Sequence, residues 1–215
     1  VKQIGRGAFA IGFQATDRKT GNCVLIKAYC WDEEQTPMKA ISRLISISSV
    51  NISNTIKLLG YRYPLNESEI EMLNSHTVKK EGRQSNAQFF GCFITEFIKN
   101  GSLELHLDNY HKRNIENKLN STRRTKIIFG VAAIMKKLHS HKIIHRDLKP
   151  AHIFLNENFE PLINYSFLSK IITNPYDMTM CVGSPLYMAP EIFMDTDEIY
   201  GLPVDVYAYA MMLYQ

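Results

Sequence analysis

No part of the chain reaches the run of about eighteen apolar residues that a membrane-spanning helix needs, so no membrane span is expected in this segment. The four cysteines, Cys23, Cys30, Cys92 and Cys181, never stand at C-x-x-C spacing. Neither a zinc site nor a disulfide framework is indicated. Thiol cysteines fit a reducing compartment, and a cytoplasmic location is the expectation. Lys and Arg outnumber Asp and Glu only 25 to 21, for a net charge of +4. They form no patch with a recognition motif, which argues against a nucleic-acid partner. The one basic run, STRRTK (121–126), opens a helical pattern and reads as a solvated face. There is no internal repeat and no low-complexity tract. What remains is ordinary for a globular protein: 215 residues, 45% hydrophobic and 21% charged, enough for one domain or two small lobes.

The chain changes character along its length. VKQIGRGAFAIGFQAT and GNCVLIKAY alternate apolar and polar residues and read as three strands, with DRKTG (17–21) as a hairpin connection. TPMKAISRLISISS reads as a helix. Thr36 is placed to cap it, Pro37 sits at its first position, and Met38, Ile41, Leu44 and Ile45 form its apolar face. TIKLLGYRY returns to strand. Residues 64–88 are polar and without period, and are expected to form a surface loop. FFGCFITEFI is a buried strand and KNGSL a turn. TKIIFGVAAIMKKLHSH carries Ile127, Ile128, Val131, Ile134, Met135 and Leu138 at amphipathic helical spacing. Short strands, a long loop and the apolar helix VDVYAYAMMLY complete the chain. Strands first and helices later predict an α+β fold, a small β-rich lobe followed by a helical one.

Five motifs appear in order. GRGAF (5–9) lies between strand patterns, and VLIK (24–27) lies on the next strand but one. IIHRDLKPAHIFL (143–155) and GSPLYMAPE (183–191) follow, and DVYAYA (205–210) closes the series. Glycines let backbone N–H groups approach phosphates closely, and one lysine supplies a point charge. Together the motifs resemble the eukaryotic protein kinase family, in its Ser/Thr or tyrosine-kinase-like group, from Ile4 to the end of the chain. The resemblance implies a two-lobed protein-kinase-like fold, with residues 1–97 as the β-rich lobe and 98–215 as a helical lobe that is incomplete. The chain opens on Val1 and stops inside its last helix, so it is expected to be a piece of a longer sequence. The resemblance further implies that Asp147 accepts the hydrogen bond of a substrate hydroxyl and that Lys149 steadies the transferred phosphoryl group. Ile4, Gly5, Gly7, Lys27, Glu96, Ile98 and Phe154 would contact ATP, and Thr95 would guard the back of that pocket. Asp205 would belong to the helix that anchors the catalytic loop. Thr173, Thr179 and Ser184 are candidate phosphorylation sites.

The departures fall on the metal and the nucleotide. The family holds Mg²⁺ with the Asp of a D-F-G triplet and with an Asn five residues after the loop Asp. The second slot is His152, and imidazole suits softer metals than Mg²⁺. The triplet admits two registers. Spacing favours Tyr165-Ser166-Phe167, and a one-residue shift gives Asn164-Tyr165-Ser166. Neither offers a carboxylate; Asn164 offers one neutral oxygen. Arg43 stands where the family places the Glu that pairs with the strand lysine, with Glu33 and Glu34 as other carboxylates in reach of Lys27. Leu25, Gly12, Ala10 and Phe154 replace a small residue, a capping aliphatic, a glycine and an aliphatic around the adenine. His139, His141, His145 and His152 are close in sequence, but no Cys or carboxylate completes a metal set. ATP and Mg²⁺ are thus implied by the family and opposed by these substitutions. Two readings stand: a catalytically inactive or severely impaired kinase-fold domain (a pseudokinase) acting through protein partners, and an active Ser/Thr protein kinase transferring the ATP γ-phosphoryl to protein substrates.

Overall fold

Along the chain run β1 (Lys2–Arg6), β2 (Ala10–Thr16), β3 (Cys23–Cys30), α1 (Pro37–Ser49), β4 (Leu58–Arg62), α2 (Glu67–Ser75) and β5 (Phe89–Glu96). After them come α3 (Leu103–His111), α4 (Ser121–Ser140), β6 (Ile143–Ile144), β7 (Ile153–Leu155), β8 (Pro161–Ile163), β9 (Lys170–Ile171), α5 (Pro190–Phe193) and α6 (Pro203–Tyr214). The computed structural model describes residues 1–6, 10–30, 37–77, 89–112, 118–166, 168–174, 183–193 and 200–215. Gly7, Glu33, Glu34, Thr36, Phe167, Thr179, the side chain of Met38 and the latter part of the expected loop (78–88) lie outside the described residues. The chain forms two compact units, Val1–Pro37 with Lys57–Phe97, and Met38–Ile56 with Ile98–Gln215. The lobes expected from the sequence, 1–97 and 98–215, differ from these units in the segment Met38–Ile56.

The first unit is a five-stranded antiparallel sheet in the order β1-β2-β3-β5-β4. Side chains alternate between its faces because the strand period is two. Ile11, Phe13, Ala28 and Cys92 are buried on one face, with Ile26 partly covered. The register Gly12↔Lys27 and Gln14↔Leu25 places the glycine, the leucine and the lysine on the other face. In DRKTG the Asp17 carboxylate accepts from Lys19 N–H (2.9 Å) and Thr20 Oγ1–H (2.7 Å), and Gly21 takes the left-handed φ of +72°. Burial of the apolar face falls partly to α2, through Leu73 and Ile70, and to Leu65 just before it.

That helix corrects the expectation of a loop over residues 64–88. The segment is polar because α2 needs only one buried side chain, Leu73. Its start was legible: Asn66 Oδ1 accepts from Glu69 N–H (2.9 Å) and Glu69 Oε2 accepts from Asn66 N–H (2.8 Å), a capping box. Arg62 Nε, 3.0 Å from Glu69 Oε1, ties the helix to β4.

The second unit is mainly helical. Its largest cluster joins Ile47 of α1, Leu103 of α3, Val131 and Leu138 of α4, and Ile143, Leu148, Ile153, Leu155 and Ile163. In α1, Ile41 and Leu44 are buried as expected, and Ile47 is the side chain that is fully covered. In α4 the expected apolar face is buried except Ile128, which is 37% exposed. The sequence pattern leaves α3 unassigned. Ser102 caps it, and only Leu103 and His106 are buried, so its apolar stripe is too short to read. Gly130 stands in the middle of α4, where glycine costs about 1 kcal/mol relative to alanine. The reason is β8: a β-carbon at residue 130 would lie 2.5 Å from Pro161 Cγ and 2.8 Å from Cδ. Replacing Gly130→Ala is therefore expected to destabilise the protein by about 1–3 kcal/mol, despite the better helix former, because a rigid ring cannot give way. A denaturant midpoint at or above that of the wild type would contradict this.

Candidate active site

The stretch after β6 cannot be regular. β6 pairs with β9, Ile143↔Ile171 and Ile144↔Lys170, and Arg146 then takes a φ of +61°. A non-glycine residue adopts that conformation only when its surroundings hold it. The holder is Asp205, in the first turn of α6 and 1% exposed. Its Oδ2 accepts from the backbone N–H of His145 (2.8 Å) and from His139 Nε2–H (2.9 Å), and its Oδ1 accepts from the backbone N–H of Arg146 (2.9 Å). Arg146 is itself buried, donating to the carbonyl of Leu168 and to the Tyr200 hydroxyl (3.2 Å).

His145 is fully buried, and both ring nitrogens are used. Nε2–H donates to the carbonyl of Asn164 (3.1 Å), and Nδ1 accepts from the backbone N–H of Asp147 (3.3 Å). That pattern requires the neutral ring with its proton on Nε2. Burial agrees, pushing the His145 pKa below its ordinary value.

The side chain of Asp147 is held from three sides. Oδ1 accepts from Ser184 Oγ–H (2.7 Å), while Lys149 Nζ donates to Ser184 Oγ (2.6 Å) and lies 3.4 Å from Asp147 Oδ2. His152 Nδ1–H donates to the carbonyl of Asp147 (2.8 Å) and also lies 3.4 Å from Oδ2. Ser184 reaches this place because Gly183, at φ +124°, lets the chain close on the catalytic loop. A β-carbon there would stand 2.8 Å from the Arg146 carbonyl oxygen. Gly183 is a positioning residue that sequence reasoning did not single out, although it opens GSPLYMAPE. Ser184, a candidate phosphorylation site by sequence, has its hydroxyl bound to both Asp147 and Lys149. Thr173 is exposed.

The metal slots do not fit Mg²⁺. His152 brings an imidazole whose Nδ1 is spent on Asp147. Asn164 is 7% exposed and neutral. The Tyr165 hydroxyl is buried near Thr55 without a hydrogen-bond partner among the described residues, and burial raises its pKa. Thr55 Oγ1–H is itself given to the carbonyl of Ile52 (2.7 Å). No group of three His, Cys, Asp or Glu able to hold a metal occurs among the described residues. The four histidines are dispersed in separate bonds, His139 to Asp205, His141 Nδ1–H to the Lys137 carbonyl (2.8 Å), and His145 and His152 as above.

The residues expected from the resemblance to contact ATP fall in both units. In the first, burial lowers the pKa of Lys27 to about 8, and no carboxylate of its own unit pairs with it among the described residues. Arg43 is half-buried in α1. Ile4 is 46% exposed. A β-carbon at Gly12 would meet Leu25 Cδ1 at 3.6 Å, Ile4 Cγ1 at 3.8 Å and the Gly5 carbonyl oxygen at 3.9 Å. A β-carbon at 12 would thus be in ordinary contact with Leu25 and Ile4, which border the space that further atoms would enter. Thr95 is buried, with Oγ1–H on the Glu96 carbonyl (3.3 Å), and the Glu96 carboxylate accepts from Lys57 N–H (2.9 Å). In the second unit the Ile98 carbonyl accepts from Gly101 N–H (3.1 Å), and Phe154 lies half-buried in β7.

A sheet unit and a helical unit, the latter presenting a histidine-arginine-aspartate loop on a buried helix carboxylate, define an α+β kinase-like fold. The chain belongs to the protein kinase family: the model of the protein kinase domain matches residues 1–215. It is similar to a probable serine/threonine-protein kinase of Dictyostelium discoideum, 37% identical over 124 residues, 58% of this chain and 13% of that protein. An RGS domain-containing serine/threonine-protein kinase of the same organism is 39% identical over 122 residues, 57% of this chain and 10% of its own length. An Arabidopsis thaliana protein described as a probable L-type lectin-domain containing receptor kinase is 26% identical over 216 residues, 98% of this chain and 28% of its own. The chain therefore spans between 10% and 28% of these relatives. No described helix is long and apolar enough to cross a membrane.

Two expected outcomes follow from this geometry. His145 and His106 (Nε2–H on the Asn100 carbonyl, 2.9 Å) both have pKa values lowered, first by burial. The unfolded chain then binds protons that the folded one refuses, so stability is full above about pH 6.5 and falls as pH drops from there toward the folded values. Each histidine contributes at most about 1.4 kcal/mol per pH unit. Urea midpoints between pH 5 and 7.5 should show this slope, and His106→Gln should flatten it; an unchanged slope in that variant would refute the assignment. For the sheet face, Gly12→Val should destabilise by about 1–3 kcal/mol through overpacking. Combined with Leu25→Ala it should cost less than the sum of the single changes, by about 0.5–3 kcal/mol. Strict additivity in a double-mutant cycle would show that the two positions are independent.

Proposed function

We propose that this kinase domain has lost metal-dependent phosphoryl transfer and works as a pseudokinase, through binding of protein partners. The observation that carries the reading is His152, whose Nδ1–H is given to the Asp147 carbonyl, where no group of three His, Cys, Asp or Glu able to hold a metal occurs among the described residues. In the family the metal bridges the phosphates and neutralises developing charge. Removing one such electrostatic group costs about 10²–10³ in rate, and losing two ligands costs roughly 10⁴ or more even with non-additivity. Leu25 bordering the space over Gly12, and a Lys27 ammonium with a pKa of about 8, weaken adenine and phosphate binding. Thiol cysteines at 23 and 92 fit work in a reducing compartment such as the cytoplasm.

One observation favours the second reading, an active Ser/Thr protein kinase. Asp147, Lys149 and Ser184 still form a closed hydrogen-bonded group around the carboxylate. Relatives named as serine/threonine-protein kinases match 58% and 57% of this chain, and the activity in their names comes to it only as that alternative.

Thermal shift with ATP in Mg²⁺, in Mn²⁺ and in EDTA decides between them. A ligand at a hundred times its dissociation constant stabilises by about 2.7 kcal/mol. The expected result is no metal-dependent shift and no phosphotransfer to protein above the level of Asp147→Asn. Magnesium-dependent phosphorylation that Asp147→Asn abolishes would overturn the proposal.

A further inference from the structure

We infer that the apolar face of the sheet in the first unit is a docking face for an amphipathic helix, and that α2 occupies it as a built-in stand-in which a partner's helix displaces. The inference rests on the reading of this domain as one that works through protein partners, and it names the chemistry of one.

The face and its occupant are unequal. Ile11 and Phe13 of β2, Ala28 of β3 and Phe89 of β5 are each at most 1% exposed, with Cys92 beside them at 9%. Phe13 and Phe89 meet edge to face, their ring centroids 6.4 Å apart. α2 answers this face with one buried side chain, Leu73, and with Ile70 partly covered; Leu65 follows the same cluster just before the helix. Glu67, Glu71 and Met72 are exposed, so the helix is amphipathic with an acidic outer side.

The occupant is also self-contained. Besides the Asn66–Glu69 capping box, Ser68 Oγ–H donates to Asn66 Oδ1 (2.8 Å), Ser75 Oγ–H to the Met72 carbonyl (2.7 Å) and Thr77 Oγ1–H to the Leu73 carbonyl (2.8 Å). Leu65 and Ile70 stand at the two positions of a hydrophobic staple. Among the described residues one side-chain ion pair joins the helix to the sheet, Glu69 to Arg62 on β4, and its two side chains are 30% and 54% exposed. Such a pair adds little to stability. A helix of nine residues does not hold itself in water. A segment with few buried contacts and exposed ties opens more readily than the strands beneath it.

The way α2 sits defines what would replace it. The ligand is a helix with a carboxylate for Arg62, an apolar residue directly after it and a second apolar residue three positions further on, the spacing of Glu69, Ile70 and Leu73. A partner helix that buries more than one side chain on this face displaces α2. This is helix-in-groove recognition with a competitor held in the same chain.

The test uses the full chain and, as probe, a fluorescein-labelled peptide of residues 64–77, PLNESEIEMLNSHT. Anisotropy gives its affinity. Maleimide labelling of Cys92, read at that residue by mass spectrometry, reports whether the face is covered. The proteins are the wild type, Glu69→Ala and Leu73→Ala. Glu69→Ala removes the capping box and the tie to β4 from the resident helix and leaves the face intact. The peptide should bind this variant about 10-fold more tightly than the wild type, because apparent affinity scales with the fraction of chains whose face is open. Cys92 should label about 10-fold faster in Glu69→Ala, and saturating peptide should restore its protection, while half-buried Cys23 keeps its rate. Leu73→Ala, which removes the resident anchor, should behave alike. A peptide carrying Ile70→Asp and Leu73→Asp should not bind. No binding to a folded Glu69→Ala or Leu73→Ala chain, equal binding to all three proteins, or dimerisation of the variants that the peptide does not compete with would overturn the inference. Phosphotransfer that Asp147→Asn abolishes would end the proposed loss of catalysis and leave the peptide result standing, since the face lies in the first unit and Asp147 in the second.

Discussion

A single buried carboxylate organises the second unit. Asp205 is almost without solvent, and a charge in that position is costly unless it is fully hydrogen-bonded. It is satisfied by two successive backbone N–H groups and one imidazole. Two consecutive amides can aim at one carboxylate only if the chain turns sharply, and the left-handed Arg146 is that turn. The turn in its own right sends His145 inward and Asp147 outward. The protonation state of His145, the placement of Asp147 and the grip of Ser184 are all downstream of this one interaction.

What the site keeps and what it has lost belong to different kinds of bond. The retained features are backbone geometry: positive φ at Arg146 and Gly183, the β6–β9 pairing and the hydrogen bonds of the loop. The departures from the family pattern are side chains, His152 and the triplet that begins at Asn164 or Tyr165. Folding depends on the first kind. A carboxylate aimed at a metal is a source of electrostatic repulsion when the metal is absent, and the uncharged amide of Asn164 brings none.

The sequence made much of this legible, and the exceptions have physical causes. The loop and its anchoring helix were readable because their residue types are dictated by hydrogen bonds that no other side chains can make. The three first strands and α4 announce themselves through period. α2 and α3 do not, since each buries only one or two side chains and leans on caps, Asn66 with Glu69 and Ser102. Ile128 breaks the expected face of α4 because a helical stripe says nothing of where a neighbour ends. Spacing counts residues and does not show which of them pack inward, as Tyr165 does against the main cluster of the second unit. Gly130 is intelligible only once Pro161 is placed against it.

Leu25 and Gly12 make the width of one sheet face a property of a pair. Leu25 Cδ1 lies at ordinary contact distance, 3.6 Å, from the point where a larger residue at 12 would begin. Atoms added at 12 must therefore share their space with the Leu25 side chain, and a smaller residue at 25 would open the space over Gly12. The two positions are coupled, so the room above this face is set by neither residue alone.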